Sequence, residues 1–451
     1  MDHRKQQLDQ IKRLVDRVKR GGAEQVDAFF EWGRNTEVSA RHGEVENLKQ
    51  AVSTGVGLRV FREHRLGFGY TSDLTRAGLA QLGERVLALA KETAADENNG
   101  LPAAESLRLE RAHPDIFDPA VEAIDNDWLV KTAIAMEKEA LAYDRRVKTC
   151  EQVGAGANVA RVALINSAGF FAEYQVSAVW CMADVVAEEN GQKQSNYYFD
   201  LSTHRGDLRD PLWVARMGAW RAVRMLGAKK IPSAELPVVF EPDMAKGFVG
   251  QLVSALNGDL AYKKSTFLVD KLGEKIASPL VTVVDDGTLA RRSGSRPFDG
   301  EGLPTRRQAL IDKGVLQRFV YDTYTANKAH AKPTGMASRS YQSLPSIGSN
   351  NLLLEPGATP PAELLKGIER GLLVTSMMGS GVNVVNGDYS RGANGLLIER
   401  GELTSPVQEV TIGGNMLQML ADIDAVGSDL DWRGSIGAPS IRFRKLTVSG
   451  L

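Results

Sequence analysis

At 451 residues, with 43% hydrophobic and 25% charged residues, the chain exceeds what one hydrophobic core usually holds and has an ordinary globular composition. Lys plus Arg number 55 against 56 for Asp plus Glu, so no global field draws the chain to nucleic acid or an anionic membrane. Residues 1–20 lack the apolar stretch of a secretory signal and no run approaches a membrane span, so a cytoplasmic protein is expected. Cys150 and Cys181 lie in different segments, which argues against a disulfide framework or a four-Cys zinc site.

In chain order, Leu8, Ile11, Leu14, Val15 and Val18 recur at helical spacing, and Gly21-Gly22 ends that helix. Val56, Leu58 and Val60 alternate along one strand, and Leu66, Phe68 and Tyr70 along the next, with the turn at 62–64. Helices are expected over Leu79–Leu89, Trp128–Tyr143 and Leu212–Leu226, and long antiparallel strands over Val159–Ile165 and Tyr174–Ala187. Strands joined by short turns, with helices grouped between them, predict an α+β fold. The Gly- and Pro-containing segment 227–237 separates an N-terminal α+β domain, 1–230, from a mostly β C-terminal domain, 236–451. The second domain opens on the strand 237–240. Asp243 then caps a helix carrying Phe248, Val249, Leu252, Val253 and Leu256, which Gly258 stops. Glycine turns separate short strands from Leu280 onward, including 280–284, 316–321, 396–399 and 407–412, and a further helix is expected near Leu417.

A helical zinc hydrolase needs two imidazoles near each other on one helix and a glutamate to deprotonate the bound water. The histidines here, His3, His42, His64, His113, His204 and His330, include no such pair. The acidic cluster Asp285, Asp286, Asp299 and Glu301 matches no calcium loop and reads as turn chemistry. Gly379, Gly381, Gly387, Gly392 and Gly395 lack the strand-loop-helix context of a phosphate loop and read as hairpin and bulge residues. Arg291, Arg292, Arg296, Arg306 and Arg307 read as a solvated face with neutralising acidic neighbours. Segment 332–357 is long and rich in turn formers, a kind of loop that often lines a substrate passage.

The stretches SPLVTVVDDGTLARRSGSRPFDGEGLPTRRQALIDKGVL, PTGMASRSYQSLP and GSGVNVVNGDYSRGANGLLIERGELTSPVQEVTIGG resemble the TldD/PmbA family, most closely its PmbA (TldE) branch. Registering LNGD, 256–259, on the family's L-E-G-D places the zinc histidines at Val249 and Ser254 and the catalytic glutamate at Gly250. None of the three can serve, and DWRGSIGAPSIRF carries no counterpart of the family's cysteine ligand. The resemblance implies a chain with no metal or other cofactor, which contributes scaffold and peptide channel while a TldD-like partner holds zinc and cleaves an extended peptide. It also implies roles in microcin maturation and antitoxin degradation. The alternative is a non-enzymatic homodimer acting on toxin-antitoxin or DNA gyrase systems; direct DNA binding finds no support in the near-neutral charge. An independent Ser- or Asp-dependent hydrolase has no motif in its favour.

Overall fold

The computed structural model describes residues 3–109 and 114–451. Helix α1 (His3–Arg20) is followed by strands β1 (Gln25–Arg41), β2 (Glu44–Arg62) and β3 (Arg65–Thr71) and helix α2 (Arg76–Glu92). Helices α3 (Pro119–Glu122) and α4 (Asn126–Ala142), strands β4 (Val147–Asn166), β5 (Phe171–Glu189) and β6 (Gln192–Ser202), and helix α5 (Pro211–Val223) complete the first half. The strands form one antiparallel sheet in the order β3-β2-β1-β4-β5-β6. The α+β prediction holds, with helices grouped on one face of this sheet.

Two patches of core fix the helices to that face. Leu8, Ile11, Leu14, Val15 and Val18 of α1, with Leu79, Leu82 and Val86 of α2, bury Val26, Ala28, Phe30, Val56, Leu58 and Val60. Leu129, Ala133 and Met136 of α4, with Val214 and Ala219 of α5, bury Val38, Ala40, Val153, Cys181 and Ala183 further along the same strands. Thr75 caps α2 by accepting from the Gly78 amide at 3.1 Å, and Asp125 caps α4 by accepting from Trp128 at 2.8 Å.

Strand β1 is absent from the sequence reading, although its even residues Val26, Ala28, Phe30, Trp32, Val38 and Ala40 are apolar and its odd residues are polar apart from Phe29 and Gly33. The even residues face the helices, while Asp27 and Phe29 are buried on the opposite face. The row Leu66, Phe68 and Tyr70 also turns out to face away from the helices. Gly67 and Gly69 lie under α2 instead, where a Cβ on Gly67 would meet the Val86 carbonyl at 2.3 Å. The expected strand 159–165 is the C-terminal end of the longer β4, and 174–187 is the middle of β5.

The second half runs through β7 (Ala234–Phe240), α6 (Pro242–Ala255), α7 (Gly258–Tyr262), β8 (Val283–Asp286), β9 (Arg307–Asp312), β10 (Val315–Leu316) and α8 (Thr323–Lys328). It continues with β11 (Ala337–Ser338), β12 (Ser346–Ile347), β13 (Leu352–Leu354), α9 (Pro361–Leu365), β14 (Arg370–Val382), β15 (Asp388–Glu399) and β16 (Glu402–Asn415). It ends with α10 (Met416–Ala421), β17 (Ile423–Val426), β18 (Asp431–Arg433), β19 (Ile436–Ala438) and β20 (Ile441–Ser449). One sheet has the order β16-β15-β14-β7-β20-β17, and an added β16–β20 pairing curls it back on itself. A second has the order β10-β9-β8-β13-β19-β18.

Several local expectations change. Strand β7 begins at Ala234, inside the segment read as linker. Glu241, not Asp243, sits at the cap of α6, and Gly258 opens α7 rather than stopping α6. The strand expected at 316–321 is confined to Val315–Leu316, because Asp322 already caps α8. The glycines after 378 serve as expected: Gly379, Gly381 and Gly387 have positive φ, and the β14–β15 register shifts between Met378 and Gly381.

The helix-free face of the N-terminal sheet docks on the second half. Phe298 packs among Phe29, Val162 and Leu164, edge-on to Tyr174 at 5.2 Å. Tyr341, from segment 332–357, lies across Gly55 and Gly57, and its amide donates to Glu31 at 2.7 Å. A Cβ on Gly57 would stand 2.3 Å from the Tyr341 carbonyl oxygen. Gly57→Ala should therefore cost about 1–3 kcal/mol through overpacking, read as a lower urea midpoint; an unchanged midpoint would show that the seam yields.

Candidate functional site

Helix α6 is where the sequence reading placed the lost chemistry. Pro242 sits in its first turn, a position where the missing amide costs nothing. Its apolar stripe, Ala245, Phe248, Val249, Leu252 and Val253, enters the core shared by the two C-terminal sheets. Phe248 packs edge-on against Phe240, Tyr389 and Phe443 with ring centroids 5.4–6.1 Å apart. Such contacts fix the rotation of the helix about its axis.

That rotation decides what the three register positions present. Val249 is 2% exposed and belongs to the core. Gly250 lies beside β19, where a Cβ would be 3.3 Å from Ile436 Cδ1. Ser254 is exposed and its Oγ donates to the Gly250 carbonyl at 3.0 Å. The residues present therefore do not fit a metal: one is core, one has no side chain, and one hydroxyl is bonded to the backbone.

The histidines do not compensate. His42, His64 and His330 occupy turns with φ of 57°, 60° and 50°. His204 is buried, with Nδ1 2.9 Å from Thr203 Oγ1 and Nε2 3.2 Å from Asp115 Oδ1. His113 lies outside the described residues, as does the side chain of His3. Among the described residues no three His, Cys, Asp or Glu side chains converge as a metal site. Burial pushes the Cys150 and Cys181 thiols up to about 12.

The acidic cluster is split and spent on structure. Asp285 accepts from the Asn350 amide and side chain, both at 2.7 Å, and burial raises its pKa to about 6. Asp286 accepts from Thr288, in a turn as expected. Asp299 accepts from the amides of Glu301, Leu303 and Ala337 at 2.9–3.0 Å, and burial followed by the Glu301 charge raises its pKa. Glu301 accepts from Thr323 and from Arg59. Arg59 in turn grips Asp27, whose Oδ2 also accepts from Arg339 at 2.9 Å. This buried chain of two carboxylates and two guanidiniums joins β1 and β2 to two loops of the second half.

A second ion cluster anchors the start of α6. Asp243 pairs with Arg221 at 2.8 Å, Lys246 at 2.9 Å and Arg433, while Asp431 pairs with Lys246 at 2.6 Å and Arg433 at 2.8 Å. Burial opposes ionisation of Asp243, but Lys246, Arg433 and Arg221 outweigh it and hold the carboxyl well below the usual range. The basic face behaves as read: Arg291 pairs with Asp115 and Asp207, and Arg307 with Glu355. Arg292 instead lies over the Trp432 ring at 4.7 Å. Segment 332–357 contributes Leu344 and Pro345 to a groove of about 850 Å³, with Phe61, Leu66, Asp96, Glu301, Asp322 and Tyr324 among its other walls.

The fold and sequence have known relatives. Models of the PmbA/TldA metallopeptidase match over residues 26–90 (domain 1), 119–226 (central domain) and 233–450 (C-terminal domain). The chain belongs to the PmbA/TldA metallopeptidase family. It is 32% identical to metalloprotease PmbA of Escherichia coli O157:H7 over 413 residues, covering 92% of this chain and 89% of the relative. It is 25% identical over 469 residues to a metalloprotease TldD homolog of Haemophilus influenzae, covering 97% and 95% of the two chains. A Bacteroides thetaiotaomicron protein named as a candidate modulator of DNA gyrase superposes over 100% of both chains, with a TM-score of 0.92 and 29% identity. TldE from Thermococcus kodakarensis shares the fold, with a TM-score of 0.88 at 22% identity over 98% of this chain and 100% of that one.

Two outcomes follow. Combining Val249→His, Gly250→Glu and Ser254→His should lower stability by about 2 kcal/mol or more, because a polar ring enters a sealed core; the triple variant should also bind no stoichiometric zinc, read by thermal midpoint and elemental analysis. Asp243 has a depressed folded pKa, so its stabilisation is present above the unfolded value near 4 and fades as pH falls below about 5. Asp285 has the opposite sign: its raised folded pKa makes ionisation unfavourable to the fold as pH rises from about 4 to about 6. Asp243→Asn should accordingly flatten the acid limb of a stability-versus-pH curve, and an unaltered limb would remove Asp243 from that account.

Proposed function

We propose that this chain is a PmbA/TldE-type subunit of a cytoplasmic zinc metallopeptidase acting on unfolded peptides, and that it supplies scaffold and channel wall rather than the cut. The supporting observation is α6 itself. The helix keeps its apolar stripe and its place between the sheets, yet its ligand register reads Val249, Gly250 and Ser254. On this reading a TldD-like chain binds the zinc and supplies the general base. The present chain holds an extended peptide near that centre, and segment 332–357 forms part of the wall. Substrates of the microcin and antitoxin kind suit such a channel because they present unfolded backbone.

Zinc content and peptide cleavage, measured on the chain alone and with a TldD-like subunit, test the reading. The expected outcome is little zinc and no cleavage alone, with cleavage appearing on mixing and abolished by chelation. Stoichiometric zinc together with cleavage by the isolated chain would sink it.

A further inference from the structure

We infer that the crevice between α1 and α2 binds an oligophosphate, a chain of two or more phosphoryl groups, through Arg13, Arg17, Arg20 and Arg76. Arg13, Arg17 and Arg20 stand four and three residues apart on α1, the spacings that put side chains on one helix face. Ile11, Val15 and Val18 turn the opposite side of the helix into the core. The arginines are therefore left to solvent, and all three are exposed, as is Arg76 in the first turn of α2. Together with Leu14 and Leu79 they line a cavity of about 280 Å³. That is just below the range of small-ligand pockets, about 300–1,000 Å³, so the crevice admits a few heavy groups and no folded partner.

What sets the four apart is that nothing in the chain neutralises them. Among the described residues none of their guanidiniums has an ion-pair partner, and Arg20 Nε donates only to the Asp16 carbonyl at 3.3 Å. Other surface arginines have found acids: Arg146 pairs with Asp144, Arg216 with Glu139 and Arg307 with Glu355. Asp73, the carboxylate nearest Arg76 in sequence, is turned onto the Thr75 amide at 2.9 Å. The neighbouring cations on α1 point elsewhere. Lys12 Nζ lies 3.8 Å from the centre of the Phe171 ring, and Lys19 Nζ is 3.5 Å from the Glu24 carbonyl oxygen. Like charges at helical neighbour spacing repel, so this row weakens the fold unless an external anion neutralises it.

The shape of the row selects the anion. From residue 13 to residue 20 the helix rises about 10 Å, so the ligand is elongated and carries several charges. An extended acidic peptide advances about 3.3 Å per residue and turns alternate side chains away, which offers such a row about two carboxylates. Linked phosphoryl groups place more charge in the same length, and a guanidinium fork can donate to two phosphate oxygens at once. A lipid surface would need the apolar face of α1, which is spent on the sheet. Nucleic-acid interfaces cover about 600 Å² of protein or more, beyond one crevice. The site lies outside α6 and segment 332–357 and does not rest on the peptidase reading.

Calorimetric titration of the whole chain with inorganic tripolyphosphate tests the site. Saturable binding at one per chain is expected, about tenfold or more tighter than orthophosphate or sulfate. ATP separates the sources: binding as tight as tripolyphosphate assigns a nucleotide, no binding assigns an inorganic chain, and the phosphoryl chemistry holds in both. Arg17→Gln and Arg76→Gln, on the two walls, should each weaken binding about tenfold. Arg444→Gln, exposed on β20, should leave it unchanged. Without anion, Arg17→Gln should keep or raise the thermal midpoint, because it removes repulsion. A lowered midpoint would assign that arginine to structure and overturn the inference. So would an absence of saturation at about 1 mM tripolyphosphate, equal binding of sulfate, crevice variants that bind like the parent, or an acidic peptide or duplex DNA held more tightly by the same arginines.

Discussion

The seam between the two halves rests on one buried chain of charge, Glu301–Arg59–Asp27–Arg339. Each side chain is at most 6% exposed, and Arg339 is wholly enclosed. Taking four such groups out of water costs several kcal/mol per ion, and mutual pairing plus the Thr323 donors offset it. Apolar contacts such as Phe298 against Phe29 and Leu164 add adhesion but tolerate sliding. The paired guanidiniums do not, because each N–H has a direction. Docking of the N-terminal sheet, the path of segment 332–357 across Gly55 and Gly57, and the groove beside Glu301 all inherit their positions from these bonds.

A parallel logic holds α6. Its apolar stripe sets rotation, while Asp243, Arg433, Lys246 and Asp431 pin its first turn to β18. The ion cluster is indifferent to what positions 250 and 254 carry, whereas Val249 belongs to the stripe itself.

The legibility of particular elements in the sequence depended on how one-sided their burial was. Helix α1, with one wet face, was plain from Leu8 to Val18. Strand β1 alternates apolar and polar residues over most of its length, but the adjacent Phe29 and Phe30, buried on opposite faces, break the period near its start. The row Leu66, Phe68 and Tyr70 shares one face of β3 as read, but it is the face away from the helices, because α2 approaches onto Gly67 and Gly69. At the candidate site, the residue types at 249, 250 and 254 could be read from the sequence. The destiny of Asp285, Asp299 and Glu301 as loop staples could not, since their partners, Asn350, Ala337 and Arg59, are distant in sequence.

By itself the sequence determined the α+β class, the family, and the absence of a local zinc-binding pair, because these depend on composition, period and residue type. Tertiary structure alone decided that Val249 is core while Ser254 is surface, that the acidic cluster is divided between two networks, and that Arg76 meets the arginines of α1 across one crevice. Those outcomes turn on which distant groups meet: a carboxylate in a low-dielectric interior must find donors, whereas guanidiniums at a wet crevice can stand without acids.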